Sequence, residues 1–523
     1  MKKEYLVSSE KMQRYDCNTI EKIGIPACVL MERAAYAVAM EVKKCLQDKV
    51  DATILVLAGN GNNGADGVCA GRILAEYGFK VEICVVTSKD GYVSELQCQL
   101  DIASYYDISV REDIPDSING YDLIIDALFG NGLNREIQGE AKKAIEMVNA
   151  SGCKVVSVDV PSGIDATTGK ILGCAIKAVV TVTFGFYKIG LLRYPGRMYC
   201  GKIVKAKIAI NETGFFGDMP DWFTYLPTEK TNVNECRDPM GNKGTFGKVL
   251  VVAGRASTTG AAVLCATSAL RSGCGMVGVF TEQQNKDTFL SVLPEAIVET
   301  YSVDESGEER QKKLQKQMDW ADVVVVGCGL LQDEISYSML KQILHDKGKP
   351  VVCDADALQM IARNEEIDVL IGQRAGEIVF TPHPGELSAL AGCSIKTIKE
   401  ERMAVIRQVL EKYPVILVAK DADTLVCANG QNTYLNVSGN DGLATAGSGD
   451  VLAGLIASMI AQKVRCDRQR STEDESAMYT GVFETVCKSV YFHGYAADVL
   501  VRENAKSFLV ASDLIQAYKH ILS

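Results

Sequence analysis

The sequence lacks the features that would place it in a membrane, outside the cell or on nucleic acid. No apolar run approaches the roughly 18 residues of a membrane span, and the N-terminus has no apolar signal segment. Lysine and arginine (55) are outnumbered by aspartate and glutamate (66), and the net charge of -11 argues against nucleic acid or an anionic membrane as a partner. Only four histidines and no CxxC pair occur, so no zinc spacing is present. We therefore expect a cytoplasmic protein with no nucleic-acid and no membrane partner.

What the chain does contain is alternation of short β-branched runs with helical patterns. Its 18 cysteines are scattered in such apolar runs, as Cys84, Cys265 and Cys353 are, which indicates free thiols in a reducing compartment. Alternating strands and helices predict mostly parallel sheets covered on both faces, and 523 residues exceed one core. One strand series ends near Ile210 and a second begins at Lys248. We predict an α/β protein of two domains, residues 1–215 and 238–523, with a linker at 216–237 and an exposed insertion at 463–480.

The segment GNDGLATAGSGDVLAG, residues 439–454, is the most informative stretch. Its glycines allow a loop to fold closely around an anion, and the apolar run after it predicts a helix whose N-terminus favours phosphate. Asp450 stands at the junction, where it is placed to take a proton from a hydroxyl that attacks phosphate. We expect the helix dipole to lower its pKa. The alternative is an ordinary glycine-rich turn with Asp450 as an N-cap.

Polar loops also follow the strands of the first domain. GNGNNGADG at residues 59–67 contains Asn62 and Asn63, while Asp126 and Asp159 each end a strand, the latter shortly before Ser162. Because ligands collect at the carboxyl ends of parallel strands, these oxygens are expected to converge, and one carboxylate among neutral oxygens suits a monovalent cation. Strand-end aspartates also serve as N-caps, and the spacing does not choose between the two.

In the second domain, three strand ends carry chemistry-bearing residues. Asp354 and Asp356 follow one strand, His383 lies between two prolines after another, and Lys420 ends a third, where its ammonium can meet a phosphate as a point charge. No G-x-x-x-x-G-K-[ST] motif occurs, so the chain is not a P-loop protein. An aspartate placed after a glycine-rich anion loop, at a helix start, is the order found in ribokinase-like kinases.

Together these motifs resemble a known family. KGTFGKVLVVAG, DADAL, TPHPGE, AKDADT and GNDGLATAGSGDVLAG are similar to ADP/ATP-dependent NAD(P)H-hydrate dehydratases, whose fold is ribokinase-like. VLMERAA, GNGNNGADG, DALFGNGL, DVPSGIDATTG and TVTFGFYKIGL resemble the NAD(P)H-hydrate epimerases, whose doubly wound sheet is Rossmann-like. In this order they resemble the bifunctional NAD(P)H-hydrate repair enzymes over nearly the full chain. The resemblance departs at Ala65, Cys328 and Asp421, where the family usually has Gly, Pro and Gly.

The resemblance implies two reactions on NAD(P)H that has gained water across a ring double bond. The first domain would interconvert the R and S hydrates. The second would use ADP to phosphorylate the hydroxyl of the S form, so that loss of phosphate restores NAD(P)H with release of AMP. The implied partners are the NAD(P)H hydrates and ADP as co-substrate, with a potassium ion in the first domain and Mg²⁺ for the dehydratase. A homo-oligomer is expected.

Carried over to this sequence, the resemblance implies two catalytic residues, Asp159 and Asp450. Potassium would be held by Asn63, Asp126 and Ser162. The epimerase substrate would be bound by Asn62, Asn63, Gly64, Ala65, Asp66, Gly130, Asn131, Gly132, Leu133, Asn134, Arg135, Glu136 and Asp159. The dehydratase substrate would be bound by Ala261, Gly329, His383 and Asp450. ADP would be bound by Lys420, Asp421, Ala422, Asp423, Thr424, Asn440, Asp441, Gly442, Leu443, Ala444, Thr445, Ala446, Gly447, Ser448 and Gly449.

Three alternatives stay open on the sequence. The second domain shares its scaffold with small-molecule kinases, and epimerase-like domains also serve as non-catalytic interaction scaffolds. The glycines Gly59, Gly61 and Gly64 match the dinucleotide fingerprint of a dehydrogenase. Asn62, Asn63 and Asp66 in that loop offer oxygens to a hydroxyl or a cation, whereas a hydride-transfer site favours small apolar residues against the pyrophosphate.

Overall fold

A computed structural model describes residues 1–47, 49, 51–86, 91–227, 240–374, 378–469, 475–502 and 509–522, without the side chains of 469 and 475–480. The chain divides into two compact units, Tyr5–Trp222 and Phe223–Ser523, and Met1–Glu4 belong to the second. None of the helices in these described ranges has the length and hydropathy needed to cross a membrane.

The first unit contains a seven-stranded sheet in which all neighbours are parallel, in the order β4-β3-β2-β5-β6-β7-β9. Alternate residues of β2 belong to two separate apolar clusters, Ile54 and Val56 to one, Leu55 and Leu57 to the other, so both sheet faces are covered. This confirms the Rossmann-like doubly wound prediction. The elements up to residue 206 are β1 (Lys2–Val7), α1 (Ser9–Glu21), α2 (Ala27–Leu46), β2 (Thr53–Ala58), α3 (Asn62–Glu76), β3 (Lys80–Val85), α4 (Ser94–Ala103), β4 (Ser109–Arg111), β5 (Leu123–Ala127), α5 (Gly139–Ser151), β6 (Lys154–Val158), β7 (Val180–Phe184), β8 (Tyr187–Lys188), α6 (Ile189–Leu192) and β9 (Lys202–Ala206).

The order of these strands reverses between β2 and β5, and this is where a ligand binds in such sheets. The chain runs from β2 outward through β3 to β4 on one side, and from β5 through β6 and β7 to β9 on the other. Asn62 begins α3 after β2, Asp126 is the penultimate residue of β5, and Asp159 directly follows β6. The topology therefore gathers the predicted epimerase residues at one edge of the sheet.

The second unit is built on a longer sheet. Strands β13-β12-β11-β14-β15-β16-β17 are parallel neighbours, and the short strands β18 and β19 extend them in antiparallel pairs. Its elements are β10 (Trp222–Leu226), β11 (Lys248–Val252), α7 (Thr259–Arg271), β12 (Met276–Glu282), α8 (Lys286–Val292), β13 (Ile297–Tyr301), α9 (Gly307–Trp320), β14 (Val323–Val326), α10 (Glu334–His345), β15 (Val351–Cys353), α11 (Asp356–Ala362), α12 (Glu365–Gly372), β16 (Ile378–Phe380), α13 (Pro384–Ala391), α14 (Ile395–Lys412), β17 (Ile416–Ala419), β18 (Leu425–Cys427), β19 (Thr433–Leu435), α15 (Ser448–Gln469), α16 (Glu475–Leu500) and α17 (Ala511–Ile521).

The largest core of the second unit lies between one face of this sheet and the helices α7, α15, α16 and α17. Val249, Val251, Val323 and Val325 supply the sheet side, and the fully buried Val451 lies in the first turns of α15. The start of α15 is therefore fixed against the sheet. This arrangement confirms the predicted ribokinase-like domain and gives the glycine-rich loop a rigid support.

Two stretches differ from the sequence-based expectations. Within the predicted linker, 222–226 form β10, and its Phe223 and Tyr225 pack against Tyr434 in the second core; residues 228–237 lie outside the described ones. The expected insertion at 463–480 is wrong for its ends, because 463–469 continue α15 and 475–480 begin α16. Residues 470–474 lie outside the described ranges.

Two candidate active sites

The first unit has a cavity of about 630 Å³ at the carboxyl ends of its strands. Its walls combine the loops after β2, β5 and β6 with apolar side chains of α1 and α2, such as Met12 and Leu30. Of the predicted epimerase residues, those that line it are Asn62, Asn63, Asp66, Gly130, Asn131, Gly132, Leu133, Asn134, Arg135 and Asp159. The structure thus brings together in one cavity residues from three separate loops.

Asp159 is the most constrained side chain of this cavity. It takes a left-handed backbone conformation, with φ of 62°, which is uncommon for a residue with a Cβ. Its carboxylate accepts hydrogen bonds from the Phe184 amide (3.1 Å) and the Thr183 hydroxyl (3.2 Å), and it forms a close ion pair with Lys188. Lys188 is fully buried, and its ammonium also donates to the Phe184 carbonyl at 3.0 Å. The pair fixes one oxygen of Asp159.

Two further carboxyl groups face the same cavity. Burial raises the pKa of Asp16, and the negative charge of Asp159 adds to the shift while Lys188 opposes it. Burial likewise raises the pKa of Asp66 well above its usual range, with Asp159 and Asp16 acting in the same direction. Both carboxyl groups are therefore harder to ionise than an exposed aspartate. The cavity contains one carboxylate bound to a cation and two carboxyl groups that hold protons more readily.

Of the three predicted potassium ligands, Asn63 lines the cavity, whereas Asp126 and Ser162 lie outside its lining. Asp126 is fully buried and accepts hydrogen bonds from the Ser162 amide (2.9 Å), the Ser162 hydroxyl and the Ser157 hydroxyl (2.7 Å). The Asn63 amide packs so closely on Gly130 that a Cβ there would lie 2.6 Å from its oxygen. The Ser162 hydroxyl also accepts a hydrogen bond of 2.9 Å from the amide of Phe129, the residue before Gly130. The three residues thus border one stretch, residues 128–130.

Three predicted contacts are placed differently. Gly64 and Ala65 are buried inside α3, where Ala65 is part of the main core of the unit, and their side-chain positions do not face the cavity. Glu136 also lies outside the cavity lining. Any contact that these residues make with a substrate has to involve main-chain atoms or a movement of the loop.

In the second unit, the glycine-rich loop leads directly into α15. Residues 440–447 form a short 3₁₀ turn (Asp441–Leu443) and a bend, and the helix begins at Ser448. The Asn440 side chain accepts from the Gly442 amide and donates to Asp498 of α16 at 3.0 Å, which ties the loop to that helix. The first amides of a helix have no partner within it. The predicted ADP residues 440–449 therefore form a fixed loop at the positive end of α15.

Asp450 lies in the first turn of α15 and faces Asp354, the residue after β15. Asp354 is buried and accepts hydrogen bonds from the Thr381 hydroxyl (2.7 Å) and the Lys420 ammonium (2.9 Å). Burial and the charge of Asp354 raise the pKa of Asp450 to about 6. The expectation of a lowered pKa is wrong, because the helix dipole is weaker here than desolvation and a neighbouring like charge.

Lys420 meets the glycine-rich loop, since its ammonium lies 3.2 Å from where a Cβ would stand at Gly449. The rest of the 420–424 segment is mixed. Asp421 and Ala422 are exposed and Thr424 is partly exposed, but Asp423 is buried in an ion pair with Arg402 of α14. The side chain of Asp423 therefore anchors the loop, and Asp421 lies 3.9 Å from the same guanidinium, which offsets part of its charge.

The predicted hydrate-binding residues lie around the same strand ends. A Cβ at Gly329 would lie 3.1 Å from that of Ala261, and the Gly329 carbonyl accepts from the Thr258 hydroxyl at 2.6 Å. His383 caps α13 through Nδ1, which accepts from the Gly385 amide, while Nε2 is 3.2 Å from Glu386. Burial and the Lys420 charge lower the pKa of His383, and burial raises the pKa of Glu386 to about 7.

Sequence reasoning assigned no role to three residues of the two sites. Asp354 is visible at a strand end in DADAL, and Lys188 stands in TVTFGFYKIGL, so both had a signal. Asp16 lies in α1, in a helix with no glycine-rich motif to mark it. Long-range pairing, Lys188 with Asp159 and Lys420 with Asp354, is what gives these residues their importance.

The fold and sites define a class: a two-domain α/β enzyme with an acid-lined cavity in one unit and, in the other, a glycine-rich loop that leads into a helix with Asp450 in its first turn. A profile of the family described as NAD(P)H-hydrate dehydratase matches residues 249–520, and one described as YjeF-related protein N-terminus matches residues 27–190. The chain belongs to the family of bifunctional NAD(P)H-hydrate repair enzymes, as the resemblance of its motifs predicted.

Relatives match both units in one chain. The chain is 32% identical over 511 residues to the bifunctional NAD(P)H-hydrate repair enzyme Nnr of Thermofilum pendens, covering 96% of this chain and 93% of the relative. It is 30% identical over 519 residues to that of Escherichia coli, covering 98% and 93%. A crystal structure of the ADP/ATP-dependent NAD(P)H-hydrate dehydratase from Bacillus subtilis, co-crystallised with ATP/Mg²⁺, is 25% identical and covers 55% of this chain and 92% of its own, with a TM-score of 0.42.

Proposed function

We propose that this chain repairs hydrated NAD(P)H in two steps, one in each unit. The first unit interconverts the R and S hydrates, and the second converts the S hydrate to NAD(P)H with ADP, releasing AMP and phosphate. The observation that carries the proposal is Asp450, a half-buried carboxylate with a pKa of about 6 in the first turn of a helix that follows a phosphate-binding loop. A base at this position acts on a hydroxyl next to a nucleotide phosphate.

In the dehydratase reaction, Asp450 accepts the proton of the ring hydroxyl. The freed oxygen attacks the terminal phosphoryl group of ADP, and AMP leaves with the electrons of the broken bond. The C–O bond of the resulting phosphate ester then breaks, and phosphate leaves with the bonding electrons. Loss of a ring proton restores the double bond of NAD(P)H. No net oxidation takes place. Lys420 and the first amides of α15 face the transferred group and stabilise its negative charge.

Mg²⁺ does not fit an all-protein site in the second unit. Among the described residues, one group of three or more histidine, cysteine or acidic side chains has ligand atoms within 4.8 Å of one another. It consists of Cys328, Asp354 and Asp450. Its thiol is a soft ligand that Mg²⁺ avoids, and the Lys420 ammonium already occupies an oxygen of Asp354. Nucleotide phosphates are the usual ligands of this ion, so it would enter the site bound to ADP.

In the epimerase reaction, Asp159 stands at the ring carbon that inverts. Lys188 holds one carboxylate oxygen, so the other is directed to the cavity. The apolar walls from α1 and α2 shield the ring, and Asn62, Asn63 and Asp66 at the start of α3 and the loop 130–135 face the polar part of the hydrate. The left-handed backbone conformation of Asp159 fits a residue whose orientation is set by function.

A potassium ion fits the three residues Asn63, Asp126 and Ser162, of which Asn63 lines the epimerase cavity. Asn63, Asp126 and Ser162 offer one carboxylate and neutral oxygens, which suits a weakly hydrated monovalent ion better than a divalent one. The side-chain nitrogen of Asn63 is buried and has no hydrogen-bond partner, so the protein does not fix which end of the amide faces Gly130. The ion would hold the loops at 128–130 and 162 in position for the hydrate.

The test uses the full chain, a mixture of NADH hydrate epimers, and absorbance of the reduced nicotinamide. We expect no NADH without ADP, and complete recovery with ADP in potassium buffer, with AMP and phosphate as the other products. Recovery of only the S fraction would contradict the epimerase. A stable phosphorylated product without NADH would assign the second unit to the small-molecule kinases. A homo-oligomer and a cytoplasmic location remain predictions.

A further inference from the structure

Asp498, in α16, holds the start of the glycine-rich loop through both of its carboxylate oxygens. One oxygen accepts a hydrogen bond from the Gly439 main-chain amide at 2.8 Å, and the other accepts from the Asn440 side-chain amide at 3.0 Å. Hydrogen bonds to an ionised acceptor are stronger than those between neutral groups. One side chain outside the loop therefore fixes two consecutive residues within it.

The face of α16 that carries Asp498 lies directly against the loop. Tyr491, Gly494 and Asp498 are spaced by three and four residues, which places them on one side of the helix. The Ser438 hydroxyl lies 2.8 Å from the Tyr491 carbonyl, and a Cβ at Gly494 would collide with that hydroxyl oxygen. Gly439 has φ of 99°, in the left-handed region that favours glycine. The two glycines thus allow a close approach, and Asp498 supplies the charged hydrogen bonds of the contact.

Asp498 also determines how the side-chain amide of Asn440 is oriented. Because a carboxylate cannot donate, the nitrogen of Asn440 faces it, and the oxygen of Asn440 accepts from the Gly442 amide at 3.0 Å. This second hydrogen bond caps the turn Asp441–Leu443, which precedes the start of α15 at Ser448. The conformation of the loop before α15 therefore depends on a residue of α16.

We infer that Asp498 is a positioning residue for ADP binding, which acts by holding Gly439 and Asn440 in the conformation that the nucleotide meets. The inference rests on the proposed function, because it concerns the loop assigned there to ADP. A carboxylate repels a nearby anion, so Asp498 favours ADP binding only if its hydrogen bonds outweigh that repulsion. Removal of its charge therefore has opposite effects for a positioning residue and for an unfavourable neighbouring charge.

The test measures ADP binding by calorimetry and NADH formation from the S hydrate at varied ADP. Asp498→Asn keeps the size of the side chain but leaves only one oxygen to accept, so the dissociation constant and the KM for ADP should rise on the order of tenfold. The KM for the hydrate and kcat at saturating ADP should stay near wild type, whereas loss of folded protein would lower kcat. Glu484→Gln, which removes an exposed acidic group of the same helix paired with Lys488, is the matched control and should change none of these values.

A double-mutant cycle with Asn440→Ala tests whether Asp498 acts through the loop. Asp498→Asn should raise the ADP dissociation constant by a smaller factor in that background, because one of its two partners is already missing. Unchanged or tighter ADP binding in Asp498→Asn overturns the inference. So do factors that simply multiply in the double variant.

A second readout needs neither ADP nor turnover: amide hydrogen exchange of the peptide that contains residues 439–442, measured by mass spectrometry. Exchange should be faster in Asp498→Asn than in wild type and in Glu484→Gln, because the loop is held less firmly on the helix. Equal exchange in all three proteins overturns the inference. A wild type that does not bind ADP would contradict the proposed function, and the exchange comparison would still decide whether Asp498 positions the loop.

Discussion

The two sites use similar groups and pair them differently. Each places carboxylates and one lysine at the carboxyl ends of parallel strands. In the first unit the lysine binds the proposed catalytic carboxylate itself, because Lys188 pairs with Asp159. In the second, Lys420 pairs with Asp354, the neighbour of the proposed base Asp450. In the first unit the lysine charge therefore balances Asp159, whereas in the second it balances Asp354 and leaves Asp450 more able to take up a proton.

The pairing also matches the two chemistries. A base that deprotonates a hydroxyl works best when its pKa is near the working pH, and the uncompensated Asp450, with a pKa of about 6, meets that condition. Asp159 has one oxygen fixed by a buried cation within a cavity whose other carboxyl groups, Asp16 and Asp66, have raised pKa values. The first site therefore has a carboxylate held by Lys188 beside two carboxyl groups with raised pKa values, and the second has a proposed base with a pKa of about 6.

The strongest test of this comparison removes the base of the second site alone. Asp450→Asn should lose dehydratase turnover by on the order of 100-fold or more, because an amide cannot accept the hydroxyl proton. Nucleotide affinity and epimerase rate should stay near wild type, since neither uses that oxygen. NADH formation from the S hydrate, with ADP binding measured by calorimetry, checks this. Near wild-type turnover would remove Asp450 from the role.

The corresponding change in the first site is Asp159→Ala. Conversion of the R hydrate should fall to the spontaneous rate, while the dehydratase still consumes the S hydrate already present. With a mixture of epimers and excess ADP, absorbance should rise quickly by the S fraction and then slowly. Full recovery at wild-type speed would show that Asp159 is not needed. The Asp450→Asn protein is the matched control, since mixing the two variants should restore full recovery.

Lys188→Met tests whether the buried ion pair of the first site is structural as well as functional. Removing one member of a buried pair leaves an uncompensated charge and should lower the free energy of unfolding by about 3–5 kcal/mol. The double variant Lys188→Met with Asp159→Asn should recover most of that stability, whereas Lys170→Met, at an exposed position, should change little. Urea unfolding measures all three. Equal stability of Lys188→Met and wild type would contradict the pairing.

The sequence predicted the strands that coincide with apolar runs, including the three-residue β15 and β16, and missed β4, β18 and β19. β2 and β14 lie where the apolar runs do, because fully buried parallel strands are continuous hydrophobic segments. The strands β4, β18 and β19 have three residues each, and their pairing depends on a neighbour supplied by the fold.

The residues of the two candidate sites could likewise be predicted where the sequence carries a local signal. Glycine-rich loops and strand-end aspartates have local signals, so Asn62, Asp159 and Asp450 could be named from the sequence. The charge state of Asp450 could not, because the local helix argument omits Asp354, which is distant in sequence and adjacent in space. The same holds for Lys188, whose partner is set by the way β8 follows β7. Electrostatics at a site requires the fold.

Lys420→Ala tests the lysine of the second site. It should raise the ADP concentration needed for half-maximal rate by on the order of tenfold, because one charge-assisted contact to phosphate is lost. The epimerase should be unaffected. Lys412→Ala, which removes a partly exposed lysine paired with Asp368, is the control. An unchanged ADP dependence would place Lys420 outside the nucleotide site and leave it as a partner of Asp354 only.

The smallest expected effect is on the pH dependence of dehydratase turnover. It tests whether the charge of Asp354 raises the pKa of Asp450. Dehydratase turnover should rise with pH and be half-maximal near the Asp450 pKa of about 6, since only the ionised carboxylate accepts a proton. Asp354→Asn removes the like charge and leaves Lys420 facing Asp450. Both changes favour the ionised form, so the acid limb should move to lower pH by about one unit. A limb that stays in place or moves upward would show that Asp354 does not set the charge of the base.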